Sequence, residues 1–176
     1  LPPPSNTKML QIEFEDLSSR PELGNFYINE IFIDSHNRVW FGADSKGLIC
    51  YENFGYRSFN ESHGLISRSV LSITEDIYGN IWCSSLSDGI YRFDGQRFFN
   101  YNLENGLRQL KVTSIVADKS GRLVLVHDRG IDVYHIKQNR FEYYGQDNNL
   151  NELNPDQNSA TTDRFGNIWL GTEKGI

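Results

Sequence analysis

Two cysteines, Cys50 and Cys83, and a single methionine are all the sulfur in this chain of 176 residues. Two thiols cannot build a disulfide framework, and without a second pair they cannot complete a four-ligand zinc site. We read both as ordinary buried thiols, the usual state of free cysteine. Positive charge is also scarce: 17 Lys and Arg stand against 23 Asp and Glu, a net charge of −6. The clustered cations that hold a phosphate backbone are lacking, so nucleic acid is disfavoured as a partner. No apolar run approaches the roughly 18 residues needed to cross a bilayer, and no basic start with an apolar core marks a signal peptide. No membrane contact is expected of this segment. Helical patterning is missing as well, because no window of a dozen residues carries apolar residues at three-to-four spacing without a glycine interruption. Nor does the chain hold a nucleophile elbow, a glycine-rich phosphate loop or an HExxH-type metal pattern. We therefore expect no catalytic residue, no metal and no cofactor.

Aromatic residues, at 13%, and 15 glycines are what the chain has in quantity. That is the composition of many short strands punctuated by turns. Residues 1–9, opening Leu1-Pro2-Pro3-Pro4-Ser5-Asn6, read as an extended lead-in.

One phrase occurs four times: Asp34-Ser-His-Asn-Arg-Val-Trp40, Asp76-Ile-Tyr-Gly-Asn-Ile-Trp82, Asp118-Lys-Ser-Gly-Arg-Leu-Val124 and Asp163-Arg-Phe-Gly-Asn-Ile-Trp169. The aspartates are spaced by 42, 42 and 45 residues. Each phrase is followed by a glycine and an aliphatic residue, at Gly47-Leu48, Gly89-Ile90, Gly130-Ile131 and Gly175-Ile176. A period in the low forties is that of a β-propeller blade. The second copy resolves best, into strands over 70–76, 80–85, 89–94 and 97–101. Between the first two strands Asp76 can cap its own turn, and Gly79 can take positive φ without a Cβ clash. Gly121 and Gly166 hold the same place, and in the first copy Asn37 substitutes, since Asn also tolerates that conformation. We expect an all-β, incomplete propeller of four-stranded antiparallel blades, divided as 25–65, 66–107, 108–150 and a partial 151–176. Residues 10–24 would supply an isolated closing strand around Gln11 to Asp16, so the chain reads as a segment of a longer propeller. Its open sheet edges could pair with a second copy. The first strand of the last unit, with Asn158, Ala160 and Thr162, offers little apolar surface, and disorder is expected there.

The repeated residues are structural in this reading. Trp40, Trp82 and Trp169 fill the space between neighbouring sheets. Asp34, Asp76, Asp118 and Asp163 serve their turns, one per blade, and are not catalytic carboxylates. Histidines are scattered: His36 in a turn, His63 in an inter-blade connection, His127 between second and third strands and His135 in a third strand. None pairs at metal-ligand spacing.

Residues that differ between copies are the functional candidates. The loops between second and third strands carry Asp44 and Lys46, then Asp88, then His127 and Arg129, then Glu173 and Lys174. Equivalent loops of successive blades meet on one face around the axis, and their charges and hydroxyls suit a polar ligand. The connections through Asn60 to His63 and Gln146 to Asn148 are a second candidate surface.

The phrase D-x-x-G-x-[IL]-W-[FL]-G-T-x-x-G-[IL], carried by Asp163 to Ile176 and more loosely by Asp34 to Leu48 and Asp76 to Ile90, resembles the two-component regulator propeller repeat. The likeness spans about residues 25 to 176, and the third copy departs from it with Val124 for Trp and Val126 for the Gly-Thr opening. The resemblance implies a periplasmic sensor region of a bacterial, often hybrid, sensor histidine kinase. It also implies a seven-bladed parent propeller, a polysaccharide-fragment ligand, and a β-sandwich, membrane helix and kinase lying downstream. It carries no catalytic residues. Alternatives are a propeller enzyme of the streptogramin-lyase type and a non-catalytic protein-interaction propeller.

Overall fold

In a computed structural model that describes residues 26–148, 150 and 154–173, the repeat becomes three four-stranded sheets and one two-stranded sheet. The first comprises β1 (Ile28–Ile33), β2 (Val39–Ala43), β3 (Gly47–Glu52) and β4 (Gly55–Phe59). The second comprises β5 (Val70–Glu75), β6 (Ile81–Ser85), β7 (Ile90–Phe93) and β8 (Phe98–Tyr101). The third comprises β9 (Ser114–Ala117), β10 (Arg122–His127), β11 (Gly130–His135) and β12 (Arg140–Tyr144). The fourth pairs β13 (Pro155–Thr162) with β14 (Ile168–Thr172). Every pairing is an antiparallel meander. First strands pack on one another in sequence, β1 on β5, β5 on β9 and β9 on β13, so they form the inner ring. The only helical pieces among the described residues are four 3-10 turns. Lead-in and closing strand, residues 1–24, lie outside the described residues.

Each inter-blade core is built the same way. Trp40 of β2 and Phe59 of β4 pack with Ile73, Cys83, Tyr91 and Phe93 of the second blade. Trp82, one period later, packs with Ile115, Leu123, Leu125 and Tyr134 of the third. Both indoles are fully buried, each removing on the order of 200 Å² from water. Trp169 holds the same place in β14 but stays half exposed, with no following sheet on it among the described residues. Both thiols are free and buried, and burial, aided by Glu52, pushes Cys50 up to about 12.

The repeated aspartate does more than cap a turn. Asp34 Oδ1 accepts from the backbone N–H groups of His36 and Arg38, and its Oδ2 accepts the Trp40 indole N–H at 2.8 Å. Asp76 binds Trp82 at 2.7 Å and Asp163 binds Trp169 at 3.1 Å. In the third copy Val124 has no side-chain N–H to offer, and Asp118 Oδ2 keeps only the bond from Arg122 Nε, at 2.6 Å, which Arg38 makes to Asp34 beside the indole. Burial pushes the Asp34 carboxyl up, but hydrogen bonds from Trp40, Arg38 and His36 outweigh it and hold the group below its usual range. At the outermost copy Asp163 is held down to about 2 by Asn167 and Trp169.

A second repeat links the inner strands. Glu30, Ser72 and Ser114 stand 42 residues apart, and each side chain accepts a backbone N–H of the next blade: Ile73, Ile115 and Ser159 respectively. Polar anchoring of this kind also forms β13, where disorder was expected. Asn158 N donates to Thr113 O at 3.1 Å, and the Asn158 side chain reaches Asn29 O at 2.8 Å.

Turn positions take the expected left-handed conformation at Asn37, Gly79, Gly121 and Gly166, with φ between 60° and 87°. Gly89 is held more tightly: at φ +87° an added Cβ would lie 2.3 Å from Tyr101 O, whereas one at Gly95, φ +99°, would meet nothing within 4 Å. Gly95→Ala should therefore lose only the backbone preference, about 1 kcal/mol, and Gly89→Ala about 3 kcal/mol or more. Urea unfolding midpoints of the two variants check the difference.

Candidate functional site

An antiparallel meander puts the second-to-third-strand loops and the blade-to-blade connections on one face, and the Asp-containing turns on the other. Among the described residues, three of the grooves lie on that first face. The first, about 450 Å³, lies between the β2–β3 loop, β4 and the connection to β5, and is lined by Lys46, Ser58, Asn60 and Arg68 among others. One blade on, a groove of about 390 Å³ is lined by Asp88, Tyr91, Asn100, Asn102 and Glu104. The third, about 310 Å³, is lined by Lys111, Asp128, Asp156 and Glu173. Ile66 lines both the first and the second.

Repeat-equivalent residues build the first two. The connections are fixed by Asn60 and Asn102, whose side chains cap the 3-10 turns Glu61–His63 and Leu103–Asn105, each ending on a left-handed glycine, Gly64 or Gly106. Gly47 N donates to Arg68 O at 2.8 Å and Gly89 N to Leu110 O at 3.0 Å, tying each hairpin loop to the connection beside it. Facing the third strand stand Ser58, Asn100 and Tyr143, opposite Ile49, Tyr91 and Asp132. Ser58 and Asn100 leave their grooves open. In the third blade the Tyr143 ring stacks on His127 at 6.1 Å, its hydroxyl donates to Arg129 O at 2.5 Å, and the Arg108 guanidinium lies 4.6 Å from the centre of the ring.

The candidate residues are thus distributed. Lys46, Asp88 and Glu173 line three separate grooves of one face, not a single hollow. Asp44 and Arg129 line none of the three, and Lys174 and Gly175 fall outside the described residues. His127 is a correction: expected in a loop, it ends β10 and is fully buried. The strand takes this position in every copy, since Ala43, Ser85 and Thr172 end their second strands nine residues past the repeated aspartate, as His127 does. Its Nε2 there lies 3.3 Å from Asp132 Oδ2, an oxygen that also accepts Arg108 N at 2.8 Å. Sequence reading missed Ser58, Arg68, Asn100 and Asn102. Asn102 carried a signal, because it holds before Gly106-Leu107 the place that Asn60 holds before Gly64-Leu65.

The extracellular domain of a hybrid two-component system from B. thetaiotaomicron superposes on 92% of this chain with a TM-score of 0.78 and 25% identity. The chain thus shares its fold with the extracellular domains of two-component sensor systems. A second hybrid-system extracellular domain from that organism matches 82% of the chain with a TM-score of 0.69 and 21% identity. The chain spans 22% of the length of each of those domains. Virginiamycin B lyase from Staphylococcus aureus shares the fold over 83% of the chain and 52% of its own, with a TM-score of 0.62 and 16% identity. No family model and no curated protein matches the chain. Among the described residues of the propeller, no helix is long and apolar enough to cross a membrane.

Proposed function

We propose that this propeller is the ligand-reading part of the periplasmic portion of a bacterial two-component sensor histidine kinase, non-catalytic in itself. It takes a polar small molecule or an oligosaccharide on the grooved face. The observation carrying this reading is the likeness to the extracellular domain of a hybrid two-component system over 92% of the chain. The grooves support it physically. Each is walled by one blade's hairpin loop and by the connection to the next, so an occupant touches two blades at once. A ligand shifts a signalling equilibrium only through different affinities for its two states, and a contact that spans a joint is one that can differ. A lyase reading has only the shared fold behind it.

Calorimetric titration against a panel of glycan fragments tests the proposal. Saturable binding is expected, and Ser58→Tyr, which copies the residue of the third blade, should fill the first groove and weaken it about 10-fold or more. No binding across chemically diverse sugars would sink the glycan reading. Self-association through open sheet edges belongs to the same proposal. The outer side of β1 carries Ile31 and Ile33, 62% and 63% exposed. Ile31→Lys should shift a dimer toward monomer in light scattering.

A further inference from the structure

The first two grooves share a plan and differ in charge. Two cations line the first, Lys46 and Arg68, against a single carboxylate, Glu61. Asp88 and Glu104 line the second, with no Lys or Arg. Neither cation of the first groove is spent on an ion pair among the described residues. The Lys46 ammonium lies 5.7 Å from the centre of the Phe26 ring, and the bond from Gly47 N to Arg68 O keeps the two segments side by side. Hydroxyls of Ser45, Ser58, Ser62 and Ser67 share the lining. Those of Ser62 and Ser67 bond within the chain, to Asn60 Oδ1 and Ser69 O. Ser45 and Ser58 have no partner among the described residues.

In a chain of net charge −6, an unpaired Lys and Arg in one hollow are a local reversal of field. A guanidinium offers paired N–H donors to an oxyanion and an ammonium adds a point charge. Free serine hydroxyls can bond either to the anion or to neighbouring ring hydroxyls. The geometry points to the first groove as the subsite for an anionic sugar unit, a ring bearing a carboxylate or a sulfate. The neutral remainder of the ligand passes Ile66 into the second groove, where the Asn102 amide donates only once within the chain, to Asn100 Oδ1, and keeps a second N–H, while Asn100 is held by Asp88 O and Ile90 O. This rests on the reading of the grooved face as glycan-binding and narrows it.

Titration of the chain with three trisaccharides of one backbone decides it: a uronate form, a sulfated form and a neutral form. At least one anionic probe should bind about 10-fold or more tightly than the neutral one, with affinity falling as NaCl rises from about 20 to about 200 mM. The double variant K46Q/R68Q should bind anionic and neutral probes alike, and K137Q, a charge removed on the opposite face, should keep the preference. Both groove cations are exposed, so an unchanged thermal melt is expected of the double variant. The two anionic arms tell carboxylate from sulfate. Equal affinity for charged and neutral probes, or a preference that survives K46Q/R68Q, overturns the assignment and leaves glycan binding standing. No heat with any of the three overturns both.

Discussion

Asp76→Ala should lower the stability of the propeller by about 3–5 kcal/mol. Asp76 is buried and accepts from Tyr78 N at 2.8 Å, Asn80 N at 3.0 Å, the Asn80 amide at 2.9 Å and the Trp82 indole at 2.7 Å. Truncation strands the indole N–H in a site with no access to water, and a buried donor left unmade costs about 1–3 kcal/mol by itself. Asp76→Asn should recover part of the loss, because one oxygen remains to close the turn while the new NH2 group can face the Trp82 N–H or the Asn80 amide only as a donor meeting a donor. The contrast that tests burial as the cause is Asp163→Ala. It removes the same set of bonds where Trp169 is half exposed, and water can replace them, so its loss should be clearly smaller. Urea midpoints for the three variants measure this; equal losses at Asp76 and Asp163 would refute burial as the deciding factor.

Between pH 5 and pH 8 the wild-type chain should lose stability that Glu30→Gln keeps. Glu30 occupies the inner-strand position where the next two blades have Ser72 and Ser114. Burial pushes its carboxyl up to about 7, against hydrogen bonds from Ile73 and Ser72 that pull it down. The folded protein thus holds a proton that the unfolded chain releases near the ordinary glutamate value. Unfolding releases that proton throughout the window between the two values, so stability falls as pH rises through it and levels off above about 7. The full shift sets an upper bound of about 3 kcal/mol. Glu30→Gln cannot titrate, so its stability should be flatter with pH and exceed the wild type most at pH 8. Midpoints taken at four pH values provide the test, and parallel slopes for the two proteins would show that Glu30 ionises normally in the fold.

The four-stranded antiparallel sheets were legible because they follow from a fixed period and from glycines that only certain turns require. The bond between Asp and Trp was in plain view at a constant six-residue separation, yet each residue had a sufficient explanation alone, one as a turn cap and one as packing. The inner links at Glu30, Ser72 and Ser114 repeat with the period of the aspartates. They were passed over because polar residues inside short strands look like solvent-facing alternation. His127 misled for a different reason. Its burial comes with its place at the end of the second strand, shared with buried Ala43 and Ser85, and two partners, Asp132 and Tyr143, stand beside it where the second blade has Tyr91 and Asn100. An acid in the middle of an otherwise apolar third strand was the available clue. The grooves were the least legible part, since each is assembled from a loop, an outer strand and a connection that only the fold brings together.

The hydrogen bond that each inner strand receives from its predecessor has an evolutionary corollary. Donor is backbone and acceptor is a short side chain at a constant place, so a duplicated 42-residue unit arrives with its joint already made. Gene expansion or loss can then proceed by whole units, with no compensating substitution at the seam. The exception is the seam keyed by Glu30: a unit copied from there would carry its acid response to a new location.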